Sequence, residues 1–327
     1  MGKNKLLPTG IENQKGGEVM QLARMLFVTV FHFADKSWAM MLLLLVVTAA
    51  TSQAQTSRSA VKYLERANDR YANGDKEGAI ADFDVAITFD PSNADAHYNR
   101  GIALLANGAL DRAIADFSKA IEINPRFGAA YDGRGNARLS KGEMNEALAD
   151  FDTLIKINPR YAPAYVNRGA VRQLNGDHSG AIADFDKAIA LNPRLAQAYN
   201  NRGAIRLGLG DMEGAIRDLD RAVGISPRLT AAYNDRGIVK TEQGRLDEAI
   251  SDFNKAIETD SAYVLAYLNR GMALLLKGET AEADKDFGRC LEINPSLKQL
   301  LEARKKEVAQ KHSATAKPNW NKKEPGI

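Results

Sequence analysis

The sequence predicts an all-α protein built as a solenoid of stacked helix pairs, and three observations carry that expectation. Prolines recur 34 residues apart at Pro91, Pro125, Pro159, Pro193 and Pro227, Ser261 holds the next place, and Pro295 closes the series. In phase with them run two unbroken small-residue columns, glycine from Gly74 to Gly278 and alanine from Ala79 to Ala283. Between these marks apolar residues fall at helical spacing on both sides of the glycine, as in Tyr165, Gly169 and Val171 before Gly176 and Ala181, Phe185 and Ala188 after it. A fixed period of this size marks stacked repeats, not a compact enzyme domain.

Ahead of the repeats, residues 1–54 read as a leader. Ala39–Ala50 is apolar or small apart from Thr48 and ends in TSQAQT, with small Ser52 and Ala54 two apart, the pattern of a secretory signal cleaved after Ala54. Twelve residues are too few to span a bilayer, which takes about 20. A start at Met20 or Met25 shortens the long stretch before the run. A second apolar patch, Met25–Phe33, leaves an uncleaved membrane anchor through residues 25–50 as the alternative, with Asp35 and Lys36 inside it. The expected location is periplasmic or secreted; the alternative is membrane-anchored.

After a short linker at 55–59, seven copies fill 60–297: 60–93, 94–127, 128–161, 162–195, 196–229, 230–263 and 264–297. Glycine makes the turn in each. A carboxylate follows it in five copies, Asp75, Glu143, Asp177, Asp211 and Glu279, where it can cap the second helix. Asn-Pro or Asp-Pro ends that helix, because proline lacks a donor and restricts the residue before it. A further column, Ala67, Gly101, Gly135, Gly169, Gly203, Gly237 and Gly271, sits inside the first helix. Mid-helix glycine costs about 1 kcal/mol against alanine, so a steric need is implied, and the alanine column is the expected neighbour. Residues 298–311 read as a capping helix, with Leu297, Leu300, Leu301, Arg304 and Val308 at helical spacing, and 312–327 as a disordered basic tail carrying Trp320.

Here the chain resembles the tetratricopeptide repeat family, through Gly101, Ala113, Phe117, Ala120 and Pro125 of the second copy and their equivalents. The resemblance implies a right-handed superhelical solenoid whose first helices line a concave groove. One departure is constant: arginine stands where the family has leucine before the first-helix glycine. The residues implied to face the groove are Glu65, Asn99, Gly133, Asn167, Asn201, Asp235 and Asn269, with Leu64, Tyr98, Asp132, Val166, Asn200, Asn234 and Leu268 beside them. The candidate peptide-binding residues are therefore Asn99, Asn167, Asn201, Asn269, Tyr98, Asn200 and Asn234. Asparagine offers donor and acceptor together to an extended backbone, but it equally suits a solvated helix face.

No catalytic constellation is present. His32, His97, His178 and His312 have no metal-ligand spacing, the acids are too regular for an acid/base pair, and no nucleotide-binding loop, metal or cofactor is expected. Cys290 stands in a small-residue core column and reads as buried. The array from 55 to 295 holds 31 basic against 35 acidic groups, which argues against nucleic acid. The leading expectation is a non-enzymatic, exported scaffold binding a protein or extended peptide. A membrane-anchored accessory subunit of an envelope or secretion assembly is the alternative. A polyanion binder, using Arg134 with Arg138, Arg168 with Arg172 and Arg202 with Arg206, is weaker. The arginine column (Arg66 to Arg270) and the aspartate column (Asp82 to Asp286), 16 residues apart in every copy, are expected to pair.

Overall fold

The computed structural model describes residues 36–315. All regular structure among them is helical, in fifteen α-helices and one 3-10 turn. The Met25–Phe33 patch and residues 316–327 with Trp320 lie outside the described residues. The chain divides into two compact units, residues 1–159 and 160–327.

The first unit holds three helix pairs: α1 (Lys36–Ala72) with α2 (Lys76–Phe89), α3 (Ala94–Ala106) with α4 (Leu110–Ile123), and α5 (Gly128–Lys141) with α6 (Met144–Ile157). The second holds α7 (Ala162–Leu174) with α8 (His178–Leu191), α9 (Ala196–Gly208) with α10 (Met212–Ile225), α11 (Thr230–Glu242) with α12 (Leu246–Thr259), and α13 (Val264–Lys277) with α14 (Thr280–Ile293). A 3-10 turn, Pro295–Leu297, leads into α15 (Lys298–Thr315). Within each unit a second helix packs on its own first helix and on the first helix of the next pair, and successive first helices touch. That arrangement puts the first helices of a unit on a common face.

Each pair turns at its column glycine, and all seven, Gly74 to Gly278, have φ between +74° and +89°. This left-handed backbone excludes a Cβ at low cost, which is why the column is unbroken. The caps beside them differ. Asp75, Asp177 and Asp211 accept from the amides of Gly78, Gly180 and Gly214, but Glu143 and Glu279 make no such bond. The extra methylene of glutamate moves the carboxylate off the amide. The three capped helices also carry glycine at the receiving position, where a Cβ would fall 2.0–2.1 Å from the aspartate oxygen.

Phenylalanine, not alanine, explains the first-helix glycines. A Cβ on Gly101, Gly135, Gly169, Gly237 or Gly271 would meet the ring of its own hairpin's Phe117, Phe151, Phe185, Phe253 or Phe287 at 2.5–2.8 Å. The rings are almost wholly buried, so they need that gap to approach the partner backbone closely. Gly203 is the exception, facing Leu219 at 3.0 Å with the Ala215 carbonyl at 3.4 Å.

Helix α1 replaces the expected linker. Residues 55–59 are helical and continuous with the first repeat, since TSQAQTSRSA holds neither glycine nor proline to stop a helix. Its amino-terminal part exposes Trp38, Met40, Met41, Leu42, Leu44, Leu45 and Val47. Among the described residues it is the one helix long and apolar enough to cross a membrane by length and composition. At the other end, α15 packs on α13. Leu301 is buried with Leu268, Leu274, Phe287 and Cys290, and Lys305 lies 5.0 Å over the Phe287 ring while bonding Asp284 at 2.9 Å. Leu300, expected on that face, is exposed, while its neighbour Leu301 takes the buried position. The helix runs four residues past the expected boundary, to Thr315.

Candidate binding face

The arginine column does not line a surface site. Every one of the seven arginines, Arg66, Arg100, Arg134, Arg168, Arg202, Arg236 and Arg270, holds the aspartate 16 residues on through two nitrogens, at 2.5–3.2 Å. The carboxylates, Asp82 to Asp286, are at most 5% exposed. A second cation reaches the same carboxylate in five copies: Arg70, Arg138, Arg172, Arg206 and Lys240, at 2.7–3.1 Å. The arginine pairs considered for polyanions thus share one buried aspartate each. The remaining guanidinium nitrogen reaches the preceding repeat, as in Arg100 to Asp84 at 2.6 Å, Arg236 to Asp220 at 2.8 Å and Arg202 to Asp186. Burial works to raise the Asp116 carboxyl, yet hydrogen bonds from Arg100 and His97 hold it below the usual range.

Six of these arginines also lie over the ring of the tyrosine three residues earlier, at 4.7–5.7 Å. In the second repeat His97 stands there instead. Its Nδ1 lies 3.2 Å from Asp116 and its Nε2 3.2 Å from the Pro91 carbonyl, so this buried histidine is a fixed part of the hairpin. Cys290 is fully buried, donates to the Val264 carbonyl, and has its thiol pushed up to about 11 by burial and then by Asp286. Among the described residues no group of three His, Cys, Asp or Glu side chains is placed to hold a metal ion. An open pocket of about 310 Å³ between α12, α13 and α14 is lined by Arg270 and Asp286, which are already bound to each other.

The predicted groove residues separate by unit. In the first unit Asn99 is wholly buried, donating to Asn68 at 3.3 Å, Gly133 is buried against Phe117, and Glu65 alone is exposed. In the second unit Asn167, Asn201, Asp235 and Asn269 are all half-buried, with part of each side chain at the surface. The adjoining column proves to be packing. Tyr98 is 7% exposed and packs its ring, tilted, against Phe127 at 5.1 Å and Phe117 at 5.8 Å, while Asn200 and Asn234 are 5% and 2% exposed. One residue is a rotation of about 100° on a helix, enough to turn this column towards the neighbouring repeat.

Asn200 and Asn234 nevertheless take part in the face from beneath. Asn269 Nδ2 donates to Asn234 Oδ1 at 2.8 Å, Asn234 Nδ2 donates to Asp235 Oδ1 at 3.2 Å, and Asn200 Nδ2 donates to Asn201 Oδ1 at 3.4 Å. Burial pushes the Asp235 carboxyl up to about 6, against the lowering effect of the Asn234 and Asn200 amides. Hydrogen bonds thus carry this amide and carboxylate row from α13 to α11, and Asn201 with Asn200 continues it on α9. Such a row can exchange hydrogen bonds with an extended backbone. Its one acid, Asp235, was visible in the sequence as the member of the column that is not asparagine among the four of the second unit.

Comparison with known proteins places these repeats. Three family models, each described as tetratricopeptide or TPR repeat, match residues 64–126, then 135–176, 174–210 and 239–278, then 196–229 and 264–297. No curated protein matches the chain. Among solved structures, a tetratricopeptide repeat protein from Parabacteroides merdae ATCC 43184 is similar at 22% identity and TM-score 0.63, over 77% of this chain and 99% of that one. A chain of the APC/C hetero-tetramer Cut9-Hcn1 is similar at 17% identity and TM-score 0.63, over 90% of this chain and 52% of that one. At these identities the likeness speaks for the fold alone.

Proposed function

The chain belongs to the tetratricopeptide repeat family, whose members bind proteins or peptides and are typically non-enzymatic, and from that premise we propose an exported scaffold that binds an extended segment of a protein partner. The observation that carries the reading is the half-open row of Asn201, Asp235 and Asn269 across three successive first helices. Its groups are polar, spaced by the repeat and tied together from below, which fixes their orientation before a ligand arrives. Asn167, on the first helix before them, extends the row.

Export rests on the apolar run Ala39–Ala50 and the small residues Ser52 and Ala54. Membrane anchoring is the second reading, favoured by the apolar side chains that α1 exposes from Trp38 to Val47 and by its unbroken run into the first repeat. The mass of the amino terminus in the mature protein separates the two: a chain starting at Gln55 supports export by a cleaved signal, and an intact leader in the membrane fraction supports the anchor.

Binding is tested with the full chain in its native cell. A photo-crosslinking side chain is placed at Asn201 or Asn269 and, for comparison, at the exposed Lys187 on α8. The expected outcome is a discrete crosslinked partner from the first-helix positions and none from Lys187. Equal crosslinking from all three overturns the assignment of this face.

A further inference from the structure

Two shortages of the same kind meet on the face of the second unit. The seven aspartates of the second-helix column each face at least one cation, as Asp252 faces Arg236 at 2.5 Å and Lys240 at 2.7 Å. Asp235, 17 residues earlier in the same repeat, forms no ion pair among the described residues. Its carboxylate is desolvated and receives one side-chain hydrogen bond, from the Asn234 amide at 3.2 Å. The second shortage lies on Asn200 itself. This side chain is 5% exposed, its Nδ2 is engaged with Asn201 at 3.4 Å, and its Oδ1 has no hydrogen-bond donor.

A desolvated carboxylate without a counter-charge and a buried carbonyl oxygen without a donor are both costly, and both are relieved by N–H groups that carry positive charge. Tyr263, the charged or titratable neighbour on the next helix start, offers no cation. Its hydroxyl is itself pushed up by burial and by the charges of Asp235 and Asp260. The local field is therefore negative, so it favours a basic group and repels an acidic or phosphorylated one.

We propose that the face of the second unit reads a lysine or arginine side chain of the bound segment, with Asp235 setting that specificity and the Asn200 carbonyl oxygen serving as a second acceptor. This rests on the reading that the face binds a protein segment. An ammonium or guanidinium at Asp235 makes charge-assisted bonds to the carboxylate. Rotation of the Asn200 amide then turns its unpartnered oxygen to the same donor.

The test uses the full chain and four pools of fluorescein-labelled dodecapeptides, capped at both ends and degenerate except for one central Lys, Arg, Gln or Glu. Fluorescence polarisation is read for the native protein, Asp235→Asn, Asp235→Lys and Glu65→Gln, each checked for an unchanged helical spectrum. The native protein is expected to bind the Lys and Arg pools at least tenfold tighter than the Gln pool, with the Glu pool weakest. Asp235→Asn should bring the Lys, Arg and Gln pools within twofold of one another while keeping the Gln affinity, and Asp235→Lys should move the preference to Glu. Glu65→Gln, which removes the exposed acid of the same column in the first unit, should change nothing. Binding without a basic preference, or a preference that survives Asp235→Asn, overturns the inference and leaves peptide binding standing. Loss of the preference in Glu65→Gln as well shows a general charge effect and also overturns it. Absence of binding by every pool removes the peptide reading and this inference with it.

Discussion

The two units repeat one hairpin yet present different faces. In the first, the column two residues after the aromatic position reads Glu65, Asn99 and Gly133, and two of the three are sealed into packing. In the second it reads Asn167, Asn201, Asp235 and Asn269, and all four keep a surface. The hairpin interior is the same in both, a bidentate arginine on a buried aspartate in every copy. Invariance thus marks what holds the repeats together. Function is sought where the copies differ.

The largest effects should come from the shared interior and should follow the number of cations on each aspartate, not the unit. Asp286 faces only Arg270 among the described residues, at 2.6 Å, whereas Asp82 faces Arg66 and Arg70. Arg270→Ala should therefore cost about 3–5 kcal/mol by leaving a buried charge alone, and Arg66→Ala less. Urea denaturation of the two variants measures this. Equal losses would mean that the second cation contributes nothing.

Next in size is the difference between the faces themselves. A Cβ on Gly133 would stand 2.7 Å from the Phe117 ring, so Gly133→Val should overpack the first unit by about 1–3 kcal/mol. Asn201→Ala at the equivalent column in the second unit should stay within about 0.5 kcal/mol, as a half-open side chain with long hydrogen bonds. Thermal melts that fall equally would erase the contrast between the units.

Asp235 gives a signed pH dependence. Its folded carboxyl, pushed up to about 6 by burial, binds a proton more tightly than the unfolded chain does. Its contribution to stability is therefore greatest at low pH and declines as pH rises from the ordinary carboxylate range through about 6. Asp235→Asn removes the charge, so it should raise stability by about 1–2 kcal/mol at pH 7.5, allowing for partial exposure, and change little at pH 4. Melting curves across that window decide it, and a variant less stable at pH 7.5 would indicate a counter-ion at this position.

The smallest effects lie at the turns. Asp75→Ala should cost about 1 kcal/mol through loss of the bond to the Gly78 amide, and Glu143→Ala, which breaks no cap, close to nothing. Hydrogen exchange at the first turns of α2 and α6 resolves the two.

Much of the molecule was legible in the sequence because a repeat states each constraint seven times. The 34-residue period fixed the helix pairs, the left-handed turn glycines and the Arg–Asp pairing, since each depends on neighbours within one hairpin. Cap chemistry was half legible: aspartate with glycine three residues on forms the bond, glutamate does not, and the spacing was on the page.

What the sequence could not decide was which of two adjacent first-helix columns meets solvent. Tyr98 and Asn99 both turn inward, Asn201 and Asn269 do not, and Asn200 and Asn234 lie just beneath them. Local periodicity sets a residue's angle around its own helix, but exposure depends on how closely the next repeat approaches. The glycines show the same limit, facing phenylalanine rings that no spacing rule identified. The pairing within hairpins is local and was written in the period. The surface between them, with the unmatched charge of Asp235 and the unpartnered oxygen of Asn200, came only from tertiary packing, because desolvation is a property of what surrounds a group and not of its place in the chain.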